Sequence, residues 1–178
     1  MLNFVAGMRQ LRKIWPALPV LLFLLPSCIE RETYPDVPRI EFRRFEKIDN
    51  GLAYDDKGIL TIGFTDGDGD LGLGSNEIYP PYDTGSMYYY NFFITYYEKQ
   101  QGEFVAVDLP FTNHSRFPIL NTSGSDKPLR GEISIELFIN NFSSPYDTIR
   151  FDAFITDRAL NHSDTITTPP ILIQKVEQ

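Results

Sequence analysis

Glu132-Ile133-Ser134-Ile135-Glu136-Leu137-Phe138-Ile139 decides the fold class. Ile133, Ile135, Leu137 and Ile139 fall on one side of an extended chain, against Glu132, Ser134 and Glu136 on the other, because successive strand side chains point to opposite faces. The same period of two runs through Ile59–Thr65, where Leu60, Ile62 and Phe64 share a face. It recurs in Met87–Tyr97 (Tyr88, Tyr90, Phe92, Ile94, Tyr96) and in Ile149–Thr156 (Ile149, Phe151, Ala153, Ile155). Ile40–Ile48, Phe104–Leu109, Phe117–Leu120 and Ile171–Val176 are weaker candidates. Prolines fall mostly between these runs, as they must where a ladder needs every N–H. No segment after residue 38 sustains an apolar helical period. The reading is an all-β domain over 39–178, a two-sheet sandwich of about seven or eight strands, with a closed barrel as the alternative.

Composition narrows the function. The chain has 178 residues, a formal net charge of −8, one cysteine and two histidines. The acidic balance argues against broad nucleic-acid binding, which needs a basic face. A single cysteine excludes an internal disulfide and any multi-cysteine metal site. Aromatic residues at 14% suit a β-rich core and not a disordered tail.

The first residues carry an address. Arg9, Arg12 and Lys13 precede an apolar run from Ile14 to Leu25, interrupted by Pro16 and Pro19. The run is too short for a bilayer-spanning helix, which needs about 20 residues. It has the parts of a secretory signal, with Met8 an alternative start to Met1. Leu25-Pro26-Ser27-Cys28 resembles the lipobox of bacterial lipoproteins. That resemblance implies removal of the signal peptide 1–27 and lipidation of Cys28, each buried methylene of the acyl chains contributing about 0.8 kcal/mol of membrane affinity. Removing 1–27 leaves 13 basic and 24 acidic residues, a net of −11. An anionic surface would repel such a domain, so the anchor must hold it. Residues 28–38, polar and with two prolines, read as an extended tether. Glu30 and Glu32 resemble the acidic export signals of surface lipoproteins in Bacteroidota.

Phe151 to Ile166, with Asp157-Arg158-Ala159-Leu160-Asn161-His162-Ser163 at its centre, resembles the last hairpin of bacterial immunoglobulin-like domains. Leu160 stands where those turns have glycine. The resemblance implies an immunoglobulin-like sandwich and no activity. Lipobox, Asp-rich loop and hairpin together are similar to small surface lipoproteins of Bacteroidota.

Asp66-Gly67-Asp68-Gly69-Asp70 is the sharpest chemical motif. Carboxylates on alternate residues can converge on one cation where glycines let the chain curl. The spacing resembles an EF-hand loop, with Asp66, Asp68 and Asp70 at positions 1, 3 and 5, Leu73 at 8 and Glu77 at 12. Leu71, and not glycine, stands at position 6, and a strand precedes the loop. An ordinary acidic turn is the competing reading. Calcium suits an all-oxygen site without nearby His or Cys.

Tyr89, Phe93 and Tyr97 recur on the face of their strand opposite the core and form a candidate stacking surface for a glycan or protein partner, unless neighbouring groups cover them. His114 and His162 lie in polar loops and read as solvated. Asp147-Thr148-Ile149 and Asp164-Thr165-Ile166 resemble Asp-Ser/Thr-aliphatic O-glycosylation sites of the Bacteroidota periplasm, which makes Thr148 and Thr165 candidates. The expected function is a lipid-anchored, non-catalytic accessory or adhesion-type binding protein of the outer membrane, stabilised by calcium. A glycan-binding lipoprotein is the alternative, followed by a carboxylate-dependent glycoside hydrolase.

Overall fold

The computed structural model describes residues 33–121 and 127–176. The expected signal peptide, Cys28 and the first part of the tether lie outside the described residues. Among the described residues there are eight strands: β1 (Arg39–Lys47), β2 (Lys57–Asp66), β3 (Phe92–Gln100), β4 (Glu103–Ala106), β5 (Leu129–Phe138), β6 (Thr148–Ile155), β7 (Ile166–Thr167) and β8 (Ile171–Leu172). They form two antiparallel sheets. One has the order β1-β2-β5. The other has the order β4-β3-β6-β7, with β8 also paired to β6. First, second and fifth strands in one sheet, against third, fourth and sixth in the other, is the partition of an immunoglobulin-like sandwich.

Period-two patterning produces the core directly. β5 alternates between exposed Glu132, Ser134 and Glu136 and inward Ile133, Ile135 and Leu137, with Leu137 fully buried. Leu60, Ile62 and Phe64 of β2 join that face. From the opposite sheet come Phe92, Ile94 and Tyr96 of β3 and Ile149, Phe151, Ala153 and Ile155 of β6. Each large apolar side chain buried here contributes roughly 1.5–3 kcal/mol.

Four expected elements differ, among them Phe104–Leu109, whose strand β4 ends at Ala106. The strand read as Met87–Tyr97 begins only at Phe92; Met87–Tyr89 is a 3-10 turn. The Ser86 hydroxyl accepts the Tyr88 N–H and caps that turn, so a local hydrogen bond outweighs the β propensity of three tyrosines. Phe117–Leu120, interrupted by Pro118, is not a strand. It is held by Leu73 N–H to the Phe117 carbonyl, Leu120 N–H to the Leu71 carbonyl, and a two-way bond between Asn91 and the Phe117 backbone. Ile171–Val176 shortens to the two residues of β8, after which Ile173 N–H bonds the Asp147 carbonyl. The end of the expected tether also belongs to the domain: Pro38 is buried and the Pro35 carbonyl accepts the Gly67 N–H.

Candidate metal centre

Asp66 is the last residue of β2, and its parity decides its surroundings. It continues the inward row Leu60, Ile62, Phe64, so its carboxylate points to the core side and has no solvent exposure. The chain then turns back on itself. Gly69 has φ +76° and Gly72 φ +99°, a region that side chains rarely enter. A Cβ at Gly69 would stand 2.2 Å from the Lys127 carbonyl oxygen, and one at Gly72 2.1 Å from that of Pro118. Leu71 and Leu73 are buried beyond the loop and fix it.

This curl brings Asp66, Asp68 and Asp70 together, with one carboxylate oxygen from each within 4.8 Å of the others. Both oxygens of Asp66, Oδ1 of Asp68 and Oδ1 of Asp70 are shut from solvent and meet no hydrogen-bond donor. The Asp70 N–H faces the Asp66 carboxyl and favours its charged form, without reaching hydrogen-bond geometry. Burial, then Asp68, Asp70 and Asp157, push the Asp66 carboxyl up to about 7. Asp70 is pushed to about 6 by burial, then by Asp157 and Asp68.

A second buried carboxylate in the same domain shows what this fold does with such a group when it holds no cation. Glu98, only 1% exposed, accepts bonds from Tyr96 Oη, Gln100 Nε2, Asn141 Nδ2 and Ser144 Oγ. Four donors surround Glu98, and none satisfies Asp66. Leaving a buried charged group without partners costs several kcal/mol, so the counter-charge for Asp66 must come from a proton or a cation. Clustered carboxylate oxygens without nitrogen or sulfur are the donor set of a hard cation such as calcium.

Glu77 is not part of this cluster. It is largely buried, but its carboxylate pairs with Arg158 and accepts the Gly74 N–H. The 12-residue spacing therefore does not carry over: with no helix on either side, the chain leaves the loop through Leu71 and Leu73 and takes Glu77 to the Arg158 guanidinium.

Asp157 is the residue that motif reading overlooked. It is 2% exposed and lies in the turn that follows β6. Its oxygens accept the Asn161 backbone N–H and Nδ2, and burial raises its pKa. The turn is tied to the loop by the Ala159 N–H, which Asp70 Oδ2 accepts. Leu160 adopts φ +65°, so the hairpin keeps the backbone that glycine would give. The pairing of the two Asp-containing turns cannot be seen from one-dimensional spacing, because about 90 residues separate them.

The expected aromatic row does not form an open surface. Phe93 is 5% exposed, stacked on Phe154 at 4.6 Å and edged by His114. Arg150 lies over Tyr97 at 4.7 Å and over Phe104 at 4.5 Å. Tyr89 lies in the 3-10 turn, half-buried, with Arg116 over its ring. Phe93 is thus buried, while Tyr89 and Tyr97 stay partly exposed beneath the two arginines. The two histidines differ: His162 is exposed, as expected, with its ring stacked on Phe154, whereas His114 is half-buried, its Nδ1 accepts the Ile94 N–H, and burial lowers its pKa. Thr148 opens β6 half-buried with its hydroxyl on Asp147, whereas Thr165 is exposed.

Beside β3, where β4 ends, a hollow of about 450 Å³ is lined by Thr95, Asp108, Phe111, Thr112 and His114, among others. Comparison of the chain with protein-family models, with curated proteins and with solved structures found no match.

Proposed function

We propose that this chain is a lipid-anchored, non-catalytic binding protein of the outer membrane, similar to small surface lipoproteins of Bacteroidota, with calcium stabilising one end of its sandwich. The observation that carries the calcium reading is the Asp66 carboxylate, fully buried, without a donor, and facing Asp68 and Asp70. The address rests on the basic residues, apolar run and Leu25–Cys28 lipobox. A role in binding is supported by the fates of the titratable groups. His114 is half-buried, packed against Phe93 and bonded to the Ile94 N–H, with no acid or nucleophile among those contacts. The two acids with strongly raised pKa, which a glycosidase would need in a cleft, include one that no substrate can reach.

Two experiments test the reading. Cys28→Ser should move the protein from the membrane to the soluble fraction; retention after a high-salt wash would refute the anchor. In chelator-stripped protein, calcium at a hundredfold excess over Kd should add about 2.7 kcal/mol of stability, raising Tm. A Tm indifferent to millimolar calcium would refute the metal. The glycan-binding alternative is favoured by the polar hollow beside β3, and not by Tyr89, Phe93 and Tyr97. Loss of oligosaccharide binding in Phe111→Ala, with binding retained in Tyr97→Ala, is its expected signature.

A further inference from the structure

Asp66 closes β2 in the first sheet, and Asp157 follows β6 in the second. Asp157 is 2% exposed, and its turn is bonded to the loop through the Ala159 N–H, which Asp70 Oδ2 accepts; its charge reaches Asp66 and Asp70 from outside the 4.8 Å group that Asp66, Asp68 and Asp70 form. We propose that Asp157 is the fourth carboxylate ligand of the Asp66–Asp68–Asp70 cation site, so that calcium fastens the two sheets together at this end of the sandwich. The inference rests on the calcium reading above.

Three features support a ligand role beyond turn-capping. Each Asp157 oxygen accepts one hydrogen bond from Asn161, and a carboxylate oxygen with one such bond keeps a lone pair for a metal. Metal-bound carboxylates commonly hold such an outer hydrogen bond, which fixes their orientation. Second, the turn's own cation, Arg158, is engaged by Glu77 and does not serve as counter-charge for the cluster. A fourth buried carboxylate beside three others is strongly unfavourable until a divalent ion arrives. Third, Leu160 is held in a left-handed conformation that favours glycine, so the surrounding contacts impose this turn against local preference. Those contacts include the Ala159 bond to Asp70 and the Tyr82 hydroxyl on the Arg158 carbonyl. Four carboxylates from two sheets also make the ion a structural cross-link, in contrast to an EF-hand, where one continuous loop supplies the ligands.

The test uses chelator-stripped protein and calcium titration by calorimetry on wild type, Asp66→Asn and Asp157→Asn. Asparagine is itself a favoured turn residue, so Asp157→Asn preserves the cap and the fold while removing the charged ligand. Expected are loss of binding in Asp66→Asn and a weakening of about tenfold or more in Asp157→Asn, given that outer-shell changes alone cost about 10–100-fold. A europium probe supplies a readout independent of charge: its luminescence lifetimes in H₂O and D₂O count bound waters, and Asp157→Ala should gain at least one. If Asp157→Asn binds calcium as wild type does, or the europium water count is unchanged in Asp157→Ala, Asp157 is only a turn cap and the proposal fails while the three-Asp site stands. If the wild type binds no calcium, the site reading itself fails.

Discussion

Without a bound cation, the domain should show the inverse of the usual pH dependence of an acidic protein. In the metal-free domain the Asp66 carboxyl titrates at about 7, against 3.8 for the free group. Between those values the folded state binds the proton and the unfolded state does not, so stability falls as pH rises. The gap of roughly three units corresponds to on the order of 4 kcal/mol lost from Asp66 between about pH 4 and pH 7.5. Asp70, titrating at about 6, adds to the fall. Two groups act the other way. His114, its pKa lowered by burial, lends stability as pH rises towards 6.5. Asp55 is lowered because Lys47 and the Gln174 N–H outweigh burial, and its contribution is lost only below about 3.8. The comparison is therefore with Asp66→Asn, a neutral isostere that keeps His114 and Asp55. Urea midpoints from pH 4 to 8 with chelator should fall for wild type and change far less for Asp66→Asn. Saturating calcium should reverse the wild-type slope, since the ion binds ionised carboxylates. Parallel chelator profiles for the two proteins would refute the buried, unpartnered carboxylate.

Three further outcomes are expected. Phe92→Ala, a fully buried site between the sheets, should cost about 3–5 kcal/mol by urea denaturation, while Glu132→Ala on the exposed face of β5 should cost under about 0.5 kcal/mol; equal losses would mean the registers are wrong. Leu160→Gly should leave stability unchanged or raise it by up to about 1 kcal/mol, because glycine relieves the left-handed backbone and only a half-buried side chain is lost; a loss above about 1.5 kcal/mol would show that Leu160 packing outweighs its backbone cost. If the protein is O-glycosylated in its native host, exposed Thr165 should carry the sugar in preference to half-buried Thr148; intact-mass analysis of Thr165→Val checks this, and an unchanged glycan mass would refute it.

Sheet and core were legible because they depend on local alternation. The parity of Ile133, Leu137, Ile149 and Phe151 assigns each side chain to a face whatever the distant chain does, and burial follows it. The same parity already put Asp66 on the inward row. What the sequence could not determine is which groups compete for a charge once the chain is folded. Glu77 sits at the right spacing for calcium, yet Arg158, 81 residues away, takes it. Phe93 and Tyr97 face outward by parity, yet from the neighbouring strand Phe154 helps bury Phe93 and Arg150 lies over the half-buried Tyr97. Asp157 belongs to a hairpin turn in sequence, and only the tertiary structure ties that turn to the Asp-rich loop, through the Ala159 N–H on Asp70. Alternation is fixed by backbone geometry within one strand, but electrostatic partnership falls off with distance in space, and that distance exists only in the tertiary structure.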